Sequence, residues 1–357
     1  MIVWTINLLL LYTEYLLLRV YSDLKTRNFI FIYLAFIHLV FLLVFKDNSI
    51  FKDLPVYTEA FDLSKDINWN NLESIQHFDI TVKLEYGWVV YTKLLSTFLP
   101  SSVFFLIFTG VFIITSYLWF IRKFSVGFAF STYLFIVFIF YNSLFVLRQH
   151  FAVAILLFSV TSIINRNLFY FIFFQLIAFC IHQSSLIFFP LYFLYGIILS
   201  KRTLLILLMS SIILSIFFKI MLAYVGDYFI IYQAYADGVG DMTSTNLVPF
   251  TISSSFLAFI MVTLYPYRNI SKLDTLWFVM ILIIVVVDFS RIGLTGTLGR
   301  LNFYFYPALI ILLPTAMKKI SNINIKVFSY LAIAALLYIL MIEGMTDGYA
   351  LFFNLLF

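Results

Sequence analysis

Glu85, Arg148, His182, Arg291 and Arg300 fall at the ends of hydrophobic segments, and one topology sets all five on the same face of a membrane. Burying a cation in lipid costs roughly 2.5–3.5 kcal/mol at a helix centre on insertion scales, and less near the interface. A chain that is 64% hydrophobic and only 11% charged has few such groups to place. Their convergence at one depth points to a site for an anionic, lipid-borne ligand.

Each residue carries a chemical reading and a plainer one. Arg148 lies in LFVLRQHFAVAILLF, where it either snorkels to headgroups or forms a bidentate pair with a phosphate, a geometry closed to lysine. Gln149 follows it and could contact a sugar. His182, in FCIHQSSLIFFPLYF, either fills a polar helix junction capped by Ser184 or Ser185, or donates to a substrate oxygen and takes a proton near neutral pH. Arg291 and Arg300 bracket RIGLTGTLGR, whose backbone N–H groups could line an anion site. Asp288 and Arg291 could instead pair with each other at i, i+3. Glu85, in TVKLEYGWVVYTKLL, is a solvated loop carboxylate or a group held at the membrane surface. Beside it, Tyr86, Trp88 and Tyr91 could stack on sugar rings or anchor the chain at the interface.

These residues need a scaffold, and composition defines it. Mean hydropathy is +1.06. Apolar runs of about 17–22 residues recur along the chain, each able to cross a hydrocarbon core of roughly 30 Å. The expectation is an all-α, polytopic integral membrane protein with about 12 spans (11–13), forming one transmembrane domain over 1–357. The spans are read at about 2–21, 28–45, 100–121, 125–143, 148–164, 168–182, 184–199, 203–222, 248–266, 274–290, 301–317 and 325–342. Residues 1–18 have no Lys or Arg before the apolar run and no small-x-small site, so they read as a first span containing Glu14 rather than a signal peptide.

One set of loops is short and basic, holding Lys25 and Arg27, Arg122 and Lys123, Arg166, Lys201 and Arg202, Arg268 and Lys272, and Lys318, Lys319 and Lys326. The positive-inside rule makes these cytoplasmic. The other set is acidic and includes two long outer loops, 46–99 and 223–247. The stretch 86–99 is too short to span comfortably and reads as an interfacial or re-entrant helix. Asp227, Asp237 and Asp241 read as loop solvation. Cys180 is the only cysteine, so no disulfide or cysteine-based metal site is expected. The net charge of +5 gives no reason to expect nucleic acid in a membrane protein. There is no Walker loop, HExxH, GxSxG, metal-ligand spacing or DxD-like pair, so neither a metal nor any cofactor is expected.

The order of these elements resembles the EpsG-like branch of the Wzy O-antigen and exopolysaccharide polymerases. A long outer loop closes on Glu85-Tyr86-Gly87, and a helix opens with Leu147-Arg148-Gln149. A His182-Gln183-Ser184-Ser185 step follows, and Arg300 precedes an aromatic-rich span with Phe303, Tyr304, Phe305 and Tyr306.

The resemblance implies a GT-C-like glycosyltransferase in the bacterial cytoplasmic (inner) membrane, its site facing the periplasm or exterior. Undecaprenyl diphosphate-linked oligosaccharides would serve as donor and acceptor, with membrane lipids and a chain-length regulator protein as partners. Arg148, Arg291 and Arg300 would bind carrier diphosphates, Glu85 and His182 would handle the acceptor hydroxyl, and Tyr86, Trp88 and Gln149 would contact sugar. Other polyprenyl-phosphosugar transferases or ligases, a lipid-linked oligosaccharide flippase and a membrane acyltransferase remain as rival classes.

Overall fold

The computed structural model describes residues 2–21, 23–46, 53–77, 83–198, 200–228, 247–264, 270–290, 292 and 296–346. Their regular structure is all helical, with no strand among them. Among the described residues, four helices are long and apolar enough to cross a membrane: Leu24–Val44, Ser102–Phe124, Leu147–Ile164 and Lys272–Ser290. Shorter apolar helices accompany them. Large apolar side chains such as Leu9, Phe104, Phe169 and Phe328 are left exposed on their outer faces. Such a surface is an aggregation hazard in water and at home in lipid. The protein is a multi-pass membrane protein.

The chain divides into two compact units, one of residues 1–186 with 327–357 and one of 187–326. The first holds α1 (Ile2–Leu17), α2 (Leu24–Val44), α3 (Leu54–Asp66), α4 (Tyr86–Ser96), α5 (Ser102–Phe124), α6 (Phe128–Phe135), α7 (Leu147–Ile164) and α8 (Leu168–Ile181). A π-helical turn, Ile136–Phe140, extends α6 toward Ser143. The tightest packing is the α7–α8 hairpin. Its turn is a Schellman stop: Arg166 sits at φ 55°, and its N–H and that of Asn167 reach back to the carbonyls of Ile163 and Ser162. Asn167 then caps α8 by accepting from Tyr170 N.

Part of the expected outer loop 46–99 folds. In α3, Pro55 starts the helix, and Leu54, Tyr57, Phe61 and Ser64 recur on one buried face. That face meets α4 and α5, with Phe61 and Phe105 stacked at 5.1 Å. At 11 residues α4 is too short to cross a bilayer. Its buried Lys93 donates to Ser64 O at 2.6 Å, tying α4 to the end of α3.

The second unit holds α9 (Lys201–Tyr228), α10 (Val248–Leu264), α11 (Lys272–Ser290) and α12 (Tyr306–Lys319), with a 3-10 segment, Gly296–Tyr304, before α12. The last helix, α13 (Ile323–Thr346), begins in this unit and continues in the first. The seventh expected span, 184–199, is not one continuous helix. It consists of a 3-10 segment, Gln183–Phe188, and a four-residue turn, Leu191–Leu194. Pro190 lacks the N–H that an α-helix would need there, and Gly196 at φ 99° stops any continuation.

Glu14 is paired inside the first unit. His38 Nε2 lies 3.1 Å from its Oε1, and Asn7 Nδ2 lies 3.2 Å from His38 Nδ1, so α1 and α2 share a polar chain. Removing one member of such a pair strands the other in an apolar setting, whereas removing both does not. His38→Leu alone is therefore expected to lower the thermal midpoint in detergent more than the Glu14→Leu/His38→Leu double change. A double variant no better than the single one would show that the pair is not coupled.

Candidate functional site

Glu85 is the N-cap of α4, yet it does not cap that helix: its side chain turns to two others. Arg148 Nη1, in the first turn of α7, donates to Glu85 Oε2 at 2.5 Å. His182, the C-cap of α8, places Nδ1 2.6 Å from Glu85 Oε1. The Gln183 N–H reaches the same oxygen at 3.4 Å. Arg148 also donates to Lys83 O at 3.3 Å, and its guanidinium lies 5.8 Å from the centre of the Tyr57 ring in α3. The three side chains are largely enclosed, with 13% of Glu85, 15% of Arg148 and 24% of His182 exposed.

Close backbone approach makes this meeting possible. A Cβ on Gly87 would stand 2.6 Å from the Cys180 carbonyl oxygen and 2.7 Å from Cys180 Cβ. Only glycine lets α4 press against the end of α8 this closely, two residues from Glu85 and two from His182.

Burial works against an ionised Glu85. The hydrogen bond from His182 and the charges of Arg148 and His182 outweigh it and hold the carboxyl below the usual glutamate range. A carboxylate so well satisfied is a weak base. Its better use is to hold His182 through Nδ1, which leaves Nε2 for proton exchange. Arg148 Nε is buried with no hydrogen-bond partner among the described residues.

The other expected site residues are placed as follows. Tyr86 is exposed, on the same turn of α4 as Gly87. Trp88 is fully buried against Tyr57, Tyr91, Phe105 and Phe151, so its ring faces are already covered by protein. Gln149 is buried beside Arg148. Arg300 is exposed in the 3-10 segment of the second unit, and Arg291 lies outside the described residues. In that unit Asp288 accepts from Asn302 Nδ2 at 2.9 Å. No cluster of three His, Cys, Asp or Glu able to hold a metal occurs among the described residues. Tyr57 was not anticipated, although the spacing of Leu54, Tyr57 and Phe61 carries the helical signal.

A model described as the EpsG family matches residues 29–356. No curated protein and no solved structure matches the chain.

Two outcomes follow from this geometry. Gly87→Ala forces α4 off α8 and should destabilise the protein by about 1–3 kcal/mol, the usual range for overpacking, read as a lower thermal midpoint. Its activity should fall further than that of Gly110→Ala, where the added methyl meets only the Leu43 side chain. Because the Glu85 carboxyl is depressed, its stabilisation is complete above the ordinary glutamate value and lost as pH falls through the depressed one. Glu85→Gln should flatten that acid limb of the stability profile; an unchanged limb would assign the acid loss to other groups.

Proposed function

The chain belongs to the EpsG family, and on that premise we propose that it is a surface-polysaccharide polymerase. It moves a growing glycan from a polyprenyl diphosphate carrier to a sugar hydroxyl on an incoming lipid-linked repeat unit. The observation that carries this reading is the enclosed Glu85–His182–Arg148 cluster, which joins a supported base to a cation suited to phosphate.

In the proposed reaction the acceptor hydroxyl oxygen attacks the anomeric carbon of the donor sugar. Its proton passes to His182 Nε2, and the anomeric carbon–oxygen bond breaks with its electron pair leaving on the polyprenyl diphosphate. Glu85 holds the imidazole in the tautomer that leaves Nε2 open and stabilises the imidazolium that forms. The C-terminus of α8 favours that cation as well. Arg148 stabilises negative charge gathering on the diphosphate, a good leaving group that needs no strong acid. Arg291 and Arg300 are further diphosphate candidates on their sequence positions, and Tyr86 is the exposed aromatic available to a sugar. We assign the site to the outer face of the cytoplasmic membrane because the Lys/Arg-rich loops belong inside.

Purified protein with lipid-linked repeat units tests the chemistry. Arg148→Ala should lower the elongation rate on the order of 10²–10³-fold, with poor rescue by Arg148→Lys, which keeps charge and loses the fork. His182→Ala should be at least as damaging, while Asp62→Ala, an exposed partner of Lys65, should elongate normally. Normal chains from Arg148→Ala would sink the assignment. Elongation should also continue in EDTA; loss with chelator and recovery with magnesium would replace the arginine-based mechanism by a metal one. For sidedness, cysteines at Leu63 or Asp62 in a Cys180-free background should react with an impermeant thiol reagent in spheroplasts, and one beside Lys318 should not. The reverse pattern would turn the site to the cytoplasm.

A further inference from the structure

A second charged region lies at the other end of the first unit, and the polymerase reading does not use it. Lys123 Nζ, at the end of α5, donates to Thr161 Oγ1 of α7 at 2.8 Å. Thr161 is 13 residues from Arg148 along one helix, which sets this end about 20 Å from Glu85 and His182. Here a cavity of about 450 Å³ opens between the start of α2, the end of α5 and the start of α6. That size falls within the range of roughly 300–1,000 Å³ typical of small-ligand sites. Its polar wall includes Lys25, Thr26 and Arg122, and its apolar wall Phe29, Ile32 and Phe128.

Its cations have no salt-bridge partner for a local reason, although the Asp23 charge is felt at Lys25. Asp23 is the nearest carboxylate in sequence, but it caps α2, accepting from the N–H groups of Lys25 at 3.1 Å and Thr26 at 2.8 Å and from the Thr26 hydroxyl. Neither Lys25 nor Arg122 forms an ion pair among the described residues. The Arg122 guanidinium rests over the Phe29 ring at 5.5 Å, which orients it without neutralising it. Along α2 the lining changes from Lys25 and Thr26 to Phe29 and Ile32 within two turns, polar at the helix end and apolar toward its middle.

We propose that this cavity binds the phosphodiester headgroup of an acidic glycerophospholipid, with Lys25 and Arg122 on the phosphate and Phe29, Ile32 and Phe128 against the glycerol and upper acyl chain. The gradient from cations to apolar side chains along one helix end matches an amphiphile entering from the membrane plane. A soluble phosphate would have no use for the apolar wall. Basic pockets at helix ends are the usual receivers of such headgroups. The inference is independent of the polymerase reading.

The test uses the full chain purified in a neutral detergent and native mass spectrometry with added phosphatidylglycerol, phosphatidylcholine or inorganic phosphate. Phosphatidylglycerol should be retained preferentially. Lys25→Gln/Arg122→Gln should weaken it about 25-fold, since each basic residue near a membrane surface is worth roughly fivefold. Lys318→Gln/Lys319→Gln, which removes an equal charge from residues that do not line the cavity, should leave retention unchanged. If the double variant does not fold, Lys25→Gln alone should give about fivefold. Equal retention of phosphatidylcholine, or an equal loss in the Lys318/Lys319 variant, would overturn the proposal. Competition by millimolar inorganic phosphate that abolishes lipid retention would also overturn it, reassigning the cavity to a soluble anion.

Discussion

A carboxylate withdrawn from water must be met by donors, and Glu85 draws its donors from the ends of two other helices. Arg148 comes from the first turn of α7 and His182 from the C-cap of α8, while Glu85 itself begins α4. None of these helix ends can shift by much more than an ångström without stranding a buried charge, an error costlier than most packing defects. The demand fixes the positions of three helix ends relative to one another. It also explains the rest of the local architecture: α3 supplies Tyr57 beneath the guanidinium, and Lys93 ties α4 back to α3.

Backbone proximity enforces what electrostatics requires. The α7–α8 turn carries Arg166 in the left-handed region, where a non-glycine residue costs about 1–2 kcal/mol. The tight hairpin it makes sets Arg148 and His182 at the same end of two neighbouring helices. Gly87 then admits α4 to contact with Cys180. The Glu85-Tyr86-Gly87 motif is therefore a charge and a spacing device two residues apart. Either alone would fail to bring a carboxylate to the imidazole.

Much of this was legible in the residues. Arg148, His182 and Glu85 stood out because ionisable groups at the ends of apolar runs are expensive, and the structure brings these three together. The basic short loops and the apolar periods marked most helices to within a few residues, as for α2, α7 and α8. What escaped has physical causes. Helix α3 is amphipathic but rich in acidic and polar residues, so hydropathy read it as loop although Leu54, Tyr57 and Phe61 share a face. The 184–199 run is apolar enough to span, but Pro190 and Gly196 act on backbone geometry that hydropathy does not measure. Trp88 read as a sugar-stacking or interface-anchoring aromatic because nothing in α4 alone reveals that α3, α5 and α7 close over it. The partner of Glu14 is His38, 24 residues away, a distance that no local pattern spans.

The pairing of Arg148 with Glu85 also governs which anions this helix end will ignore. The first turn of a helix is electropositive, and an arginine there deepens the attraction for any passing anion. Glu85 is a tethered competitor for that arginine, present at the high effective concentration that covalent linkage gives. A free monoanion such as chloride or acetate meets a seat already filled by the chain itself. An anion with two phosphoryl groups brings more charge and more than one point of contact. The internal carboxylate thus acts as a threshold, setting how much multivalency a ligand must bring before the arginine changes partners.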